Sequence, residues 1–350
     1  MEKIRKQMDK VSFDKLDTYI ELLYEETEQK VKGTHRILLL ARNPDHLEEL
    51  LQNETLLGVI CRLFREDSRK SIDLVVNIAY IFFSFSVYTK FHQDISQHRV
   101  GDLAMRIVEG ELDRSVVIAK DLEEAEAKLR AVEKGSRDEE KLNKEAKKIR
   151  SFNRKQDKLL IICLHILLNL AEDPKVEKKM KKRKIVERLL QVLERRNLEL
   201  RQLAIMFLKK LSIFKENKDE MAKNGIILRL SKFVPQDHQP LLIAALRLLS
   251  NLSFDPALRK QMVEHDFPPK LVEVFKRARG PVAELTLRLL YQISIEESAR
   301  HKFRFTECIP MVMRLLLNQT DPSIDRTAVA LAINLSLHQV CPRKFSLSVS

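Results

Sequence analysis

Apolar residues recur along this chain at helical spacing, and the helices they outline recur in turn. Between Lys218 and Asp255, three segments stand out. Asn217–Asn224 predicts a short first helix, ended by Gly225 in the position after a helix that tolerates positive φ. Ile227, Leu230 and Val234 share one face of a second helix over 226–234. Pro235-Gln-Asp-His-Gln-Pro240 then breaks the chain, and Leu241 to Phe254 predicts a longer, more apolar third helix. In the two following units Pro268-Pro269 and Pro310 open the second helix. Proline is tolerated there because first-turn N–H groups have no intrahelical acceptor.

The unit repeats with a period near 41. Met180, Met221, Met262 and Phe303 are each 41 apart, as are Ile185, Ile226, Phe267 and Cys308. Asn169, Lys210, Asn251, Gln292 and Asn334 form a third series with steps of 41, 41, 41 and 42. A helical period of about 40 signals HEAT or armadillo arrays. Three helices per unit, with a short first one before Gly or Pro, favour armadillo. No such unit buries its apolar face alone, so stacking must supply the core. The expectation is an all-α armadillo-repeat array, a right-handed superhelical solenoid with a helical-hairpin insertion.

An earlier unit lies over Glu54–Ser86, with Asn77 placed in the phase of Asn169. These two are 92 residues apart, about 51 more than one period. The excess falls in a Glu- and Lys-rich stretch. There Ile118, Leu122, Ala125, Leu129 and Val132 are spaced 4, 3, 4, 3 as a heptad seam, and Leu142, Ala146 and Ile149 resume it after a turn at Lys134-Gly-Ser-Arg137. This reads as an antiparallel hairpin between the second and third helices of one repeat. A solvated charged linker is the rival reading. The expected organisation is a polar N-terminal segment or helical cap (1–33), first repeats (34–109), the hairpin (110–156), repeats of about 41 residues (157–339) and a disordered tail (340–350).

Composition narrows the class. With 350 residues the chain exceeds one hydrophobic core, which suits an elongated array. Seven glycines and no Trp argue against a sheet-rich domain. A net charge of +13 favours acidic partners without choosing among them. Cys61, Cys163 and Cys308 lie in apolar helical runs, and with Cys341 they form no C-x-x-C pair, so neither metal nor redox chemistry is expected. The start, Met1-Glu-Lys-Ile-Arg-Lys6, is charged with no apolar stretch behind it. The longest uncharged run, Leu74–Tyr88, is shorter than the ~20 residues of a spanning helix. An intracellular, soluble protein without membrane insertion is expected, and the Asn-x-Ser/Thr triplets at Asn53, Asn251, Asn318 and Asn334 are coincidental.

Two sets of residues are candidates for binding. Asn77, Asn169, Asn251 and Asn334 sit among apolar neighbours inside long helices, and Lys210 and Gln292 share their phase. An unpaired buried amide costs about 1–3 kcal/mol, so each Asn needs a partner. That partner is either neighbouring structure or the backbone of an extended peptide held in a groove. The cluster Lys178, Lys179, Lys181, Lys182, Arg183 and Lys184 resembles a nuclear-import signal but reads better as a solvated or acid-binding helix face. No catalytic constellation, phosphate loop or cofactor motif is found; His165 on an apolar face reads as a core or cleft residue, and His92 and His98 do not share a face.

Leu16-Asp-Thr-Tyr-Ile-Glu-Leu-Leu-Tyr-Glu-Glu, Leu40-Ala-Arg-Asn-Pro-Asp-His-Leu-Glu-Glu-Leu-Leu and Asn77-Ile-Ala-Tyr-Ile-Phe-Phe closely resemble the kinesin-associated protein family. Leu167-Leu-Asn-Leu-Ala-Glu-Asp, Phe207-Leu-Lys-Lys-Leu-Ser-Ile-Phe and Leu252-Ser-Phe-Asp agree, and the likeness covers residues 13 to 338 with the insertion. The resemblance implies the non-enzymatic accessory subunit of heterotrimeric kinesin-II. Such a subunit binds the tails of two motor chains as a hetero-oligomer and links them to cargo adaptor proteins in microtubule-based and intraflagellar transport. It implies a cytoplasmic, microtubule-associated and ciliary location, with no cofactor and no specific nucleic acid. The family's further repeats do not follow Asn334, and Val340–Ser350 matches neither repeat nor family, so a truncated form is expected. An armadillo-type regulator of small GTPases, or another armadillo peptide-binding adaptor, is the alternative.

Overall fold

The computed structural model describes residues 11–67, 69–131, 137–318 and 322–337. Among these residues the chain is α-helical with short 3-10 turns and no strand. The helices are α1 Leu16–Glu21, α2 Thr27–Ala41, α3 Leu47–Gln52, α4 Glu54–Glu66, α5 Ile72–Ser86, α6 His92–Gln97, α7 Val100–Ala131, α8 Arg137–Leu170, α9 Pro174–Lys182 and α10 Ile185–Val192. They continue as α11 Leu198–Leu211, α12 Lys215–Lys223, α13 Ile226–Leu230, α14 Gln239–Leu252, α15 Pro256–Glu264, α16 Phe267–Arg277, α17 Pro281–Ser294, α18 Glu297–Phe303, α19 Cys308–Asn318 and α20 Pro322–Ser336. From α3 onward they run in threes, each triplet ending in its longest helix. The second helix expected over 226–234 is shorter, because Ser231–Phe233 tightens into a 3-10 turn. The chain forms two compact units, Met1–Arg188 and Leu189–Ser350.

Local chemistry starts three of the third helices, α5, α11 and α14. Side chains of Ser71, Asn197 and His238 accept from the backbone N–H of Leu74, Leu200 and Leu241, satisfying donors that the first turn leaves open. In four of the six triplets, the turn from the first helix to the second uses a left-handed residue. These are Arg99, Lys184, Gly225 and Asp266, with φ of 56°, 54°, 67° and 59°. Only one of the four is the glycine that the sequence advertises.

In the first unit, α5 stacks between α2 and α8. That position explains its composition: Leu74, Val75, Ile78, Ile81, Phe82 and Phe85 are buried, each side chain contributing about 1.5–3 kcal/mol. Gly33 lets α1 and α2 approach closely, since a Cβ there would meet the Tyr19 carbonyl oxygen at 2.8 Å. α7 and α8 pair as a hairpin that continues the second and third helices of their triplet. Boundaries placed at 109/110 and 156/157 therefore fall inside helices, as does 33/34, inside α2. Ala125 and Ala146 are buried in the hairpin seam, and Arg150 bonds Glu126 at 2.8 Å. At its base the buried Gln156 donates to the carboxylate and carbonyl of Glu111, at 2.9 and 3.0 Å. Val132, Lys134–Ser136 of the expected turn, and the tail at 340–350 lie outside the described residues.

In the second unit the third helices α11, α14, α17 and α20 stack in sequence, and α13 and α16 cover them. Leu203, Phe207, Leu246, Leu249, Leu290 and Ile293 form the spine of this core.

Candidate functional site

The third helices bury one side and leave the other as a continuous face within each unit. The asparagine series lies on its edge. Asn169 Nδ2 donates to Ser86 Oγ at 3.1 Å, Asn251 to Ser212 at 3.2 Å and Asn334 to Ser294 at 2.9 Å. Each serine hydroxyl donates in turn to the carbonyl three residues back, of Phe83, Lys209 and Tyr291. Every amide is thus tied to the preceding third helix by one of its donors. All three amides are half-buried. The carbonyl oxygen and second N–H have no partner among the described residues, so they remain available to a ligand.

Asn77 departs from its expected phase. The bond from Asn169 to Ser86, set beside that from Asn251 to Ser212, aligns Ser84 with Asn169 and leaves Asn77 seven residues, or two turns, earlier. Asn77 donates instead to Thr34 Oγ1 at 3.2 Å and to the Val31 carbonyl at 3.3 Å. The pairing is the same in kind, moved two turns along both helices. A count of residues across an insertion could not reveal this shift. Lys210 and Gln292 occupy the phase as expected and are half-buried.

The exposed face differs between the units. In the first it is aromatic and apolar with one imidazole: Tyr80, Phe83, Ile161, His165 and Leu168 are half-buried. The rings of Phe83 and His165 lie 5.8 Å apart, and Lys158 sits 5.0 Å over Tyr80. Burial, and then the Arg42 charge, pushes the pKa of His35 below the usual imidazole value. In the second unit the face carries Met206, Lys209, Arg247 and Arg288, all exposed.

The basic cluster is not a uniform surface. Lys178, Lys179, Lys181, Lys182 and Lys184 are exposed. Arg183 is not: it pairs with Asp102 at 3.1 Å and Glu109 at 3.0 Å, fastening α9 to α7. A charge run in sequence cannot show which member turns inward. The thiols of Cys61, Cys163 and Cys308 are buried. Burial pushes the Cys61 pKa up to about 11, with Arg65 opposing, and pushes Cys163 higher still.

Two signals were readable in the sequence and passed over. The serines that receive the asparagines, Ser86, Ser212 and Ser294, belong to a recurring series in which an apolar residue follows each: Ser86-Val87, Ser212-Ile213, Ser253-Phe254, Ser294-Ile295 and Ser336-Leu337. The last three steps are 41, 41 and 42. Among the described residues no cluster of His, Cys, Asp and Glu could hold a metal ion. No single described helix is long and apolar enough to cross a membrane.

Comparison with known proteins agrees with this architecture. The profile of the family described as Kinesin-associated protein (KAP) matches residues 3–343. Among solved structures, the chain is similar to a designed armadillo repeat protein in complex with the peptide (KR)4, at 10% identity and TM-score 0.55, covering 80% of this chain and 99% of that one. It is also similar to computationally designed armadillo repeat proteins for modular peptide recognition, at 10% identity and TM-score 0.56, covering 79% and 99%. A chain from a study of the interaction between cadherin and beta-catenin matches at 11% identity and TM-score 0.65, covering 95% of this chain and 55% of that one. At these identities the likeness shows the fold, an all-helical armadillo-repeat array.

Proposed function

From the premise that the chain belongs to the kinesin-associated protein family, we propose that it is a non-enzymatic scaffold that binds the tails of heterotrimeric kinesin motor chains and links them to cargo. The setting is microtubule-based transport, including intraflagellar transport, in the cytoplasm and the cilium. Motor and ATPase activity belong to the partner chains, and the assembly is a hetero-oligomer. The observation that carries the reading is the match over residues 3–343, and the third-helix face supplies a surface for it. Extended partners need backbone donors and acceptors at regular intervals. Within the second unit Asn251 and Asn334, each pinned by one bond and open at the others, offer such groups, and Asn169 offers one in the first unit.

The test is co-elution of the 350-residue chain with a co-expressed pair of kinesin-II tail segments at physiological salt, beside the Asn169→Ala/Asn251→Ala variant. A complex that the variant weakens about tenfold supports both the scaffold and the groove. A complex that the variant leaves unchanged keeps the scaffold and removes the groove. A folded chain that forms no complex overturns the motor-binding reading.

A further inference from the structure

An exposed apolar side chain stands at the end of every third helix of the second unit. Ile213, Phe254, Ile295 and Leu337 are 71%, 67%, 44% and 67% exposed. Each lies three residues beyond the Lys210, Asn251, Gln292 and Asn334 phase, so together they form one row across α11, α14, α17 and α20. Single exposed apolar residues need no explanation, but a row at a fixed phase does.

The row is also held in place. Arg259 Nη1 donates to the carbonyls of Ser253 at 2.9 Å and Phe254 at 3.3 Å. Arg300 Nη1 donates to those of Ser294 at 3.0 Å and Ile295 at 2.9 Å. These guanidiniums bind carbonyls at and just beyond the C-terminal ends of α14 and α17, where a cation is favoured by the helix dipole. The backbone that presents Phe254 and Ile295 is therefore preorganised, which lowers the entropic cost of binding.

Beside the row runs a line of cations. Lys209 and Lys210 on α11, Arg247 on α14 and Arg288 on α17 point onto the same face, with Arg247 and Arg288 in equivalent positions 41 residues apart. Of the two acids on these third helices, Glu284 is engaged by Arg288 at 2.6 Å, and the exposed Glu199 stands in the first turn of α11, two turns before Met206. From this pairing of an apolar row with a cationic line we infer that the third-helix face of the second unit docks an extended protein segment in which carboxylates and apolar side chains alternate. The carboxylates meet Lys209, Lys210, Arg247 and Arg288; the apolar side chains meet Ile213, Phe254, Ile295 and Leu337. Packed helices lie about 10 Å apart and an extended chain advances about 3.3 Å per residue, so one helix corresponds to about three ligand residues. The inference deepens the scaffold reading by naming the chemistry of a partner, and it rests on that reading only for the expectation that the face binds protein.

The test uses the full chain and two labelled twelve-residue peptides in fluorescence anisotropy at physiological salt. One peptide repeats Glu-Leu-Glu and the other Lys-Leu-Lys. Saturable binding of the acidic peptide alone is expected, with Kd raised at least tenfold by Arg247→Glu/Arg288→Glu and several-fold by Phe254→Ser/Ile295→Ser. All four residues are surface positions, and thermal melts verify that the variants fold; Arg247→Gln/Arg288→Gln serves if the reversal does not. Equal affinity for the basic peptide, no saturable binding of either, or binding indifferent to both variants overturns the inference. So does a twelve-nucleotide oligo(dT) bound as tightly as the acidic peptide, because that is attraction to any polyanion. Co-elution with the motor tails, run in parallel, separates the two claims. Tails retained by a chain that binds no acidic peptide sink this inference alone; the acidic peptide bound by a chain that captures no tails sinks the motor reading alone.

Discussion

Asp67 shows how one carboxylate can close a repeat. Its side chain is 7% exposed, and it takes Lys30 at 3.2 Å and Lys70 at 2.6 Å. Burial pushes its pKa up, but the hydrogen bonds from Lys70 and Lys30 outweigh burial and hold it below the usual carboxylate value. A carboxyl with a depressed folded pKa stabilises the fold above its unfolded pKa of about 3.9, and that contribution fades as pH falls through the folded value. Asp67→Asn should therefore cost about 1–3 kcal/mol in urea unfolding at pH 7. The gap between wild type and variant should narrow as the pH is lowered toward 3; a gap that stays constant with pH would remove the ionic account. The asparagines carry the second lesson at this scale. Their need for partners follows from residue type alone, whereas the identity of the partners, hydroxyls two residues past the same phase on the preceding helix, required the packed helices.

At the scale of elements, the junction between first and second helices is the informative place. Gly225, Lys184, Asp266 and Arg99 all adopt left-handed backbone there. A non-glycine residue in that conformation costs about 1 kcal/mol, and three of these four junctions carry it without glycine. Nothing lies within 4 Å of a Cβ built on Gly225, so Gly225→Ala should lose about 1 kcal/mol from backbone strain alone. The Lys184 side chain is 74% exposed, with Glu187 at 3.7 Å. Lys184→Gly should accordingly raise stability by up to about 1 kcal/mol, despite the entropy that glycine adds to the unfolded chain. Chemical denaturation of the pair checks both signs. Opposite shifts are required, since a generic loss of helix propensity would make both variants less stable.

For the molecule as a whole, stability in a repeat array is a sum of units and their interfaces. In the second unit α14 and α17 have a third helix on both sides, whereas α20 packs on α17 and α19. Val329, Ile333 and Leu337 of its face are exposed. Hydrogen exchange should be fastest, among the described helices of this unit, over α19 and α20, with α14 the slowest. Protection in α20 equal to that in α14 would contradict this ordering. What the sequence determined by itself was everything set by period and local preference. Helical content, the 41-residue unit, the three helices within it, the burial of Cys61, Cys163 and Cys308 and the location of the charged insertion all follow from apolar spacing and helix-ending residues, which act within a few turns. Only the tertiary structure decided register across the insertion, where Ser84 rather than Asn77 takes the asparagine phase. It alone turned Arg183 inward while its lysine neighbours stay out, and it alone left Ile213, Phe254, Ile295 and Leu337 all exposed. The physical reason is common to all three. Each depends on which faces of separate helices meet, and that is fixed by the sum of many weak contacts between segments far apart in the chain.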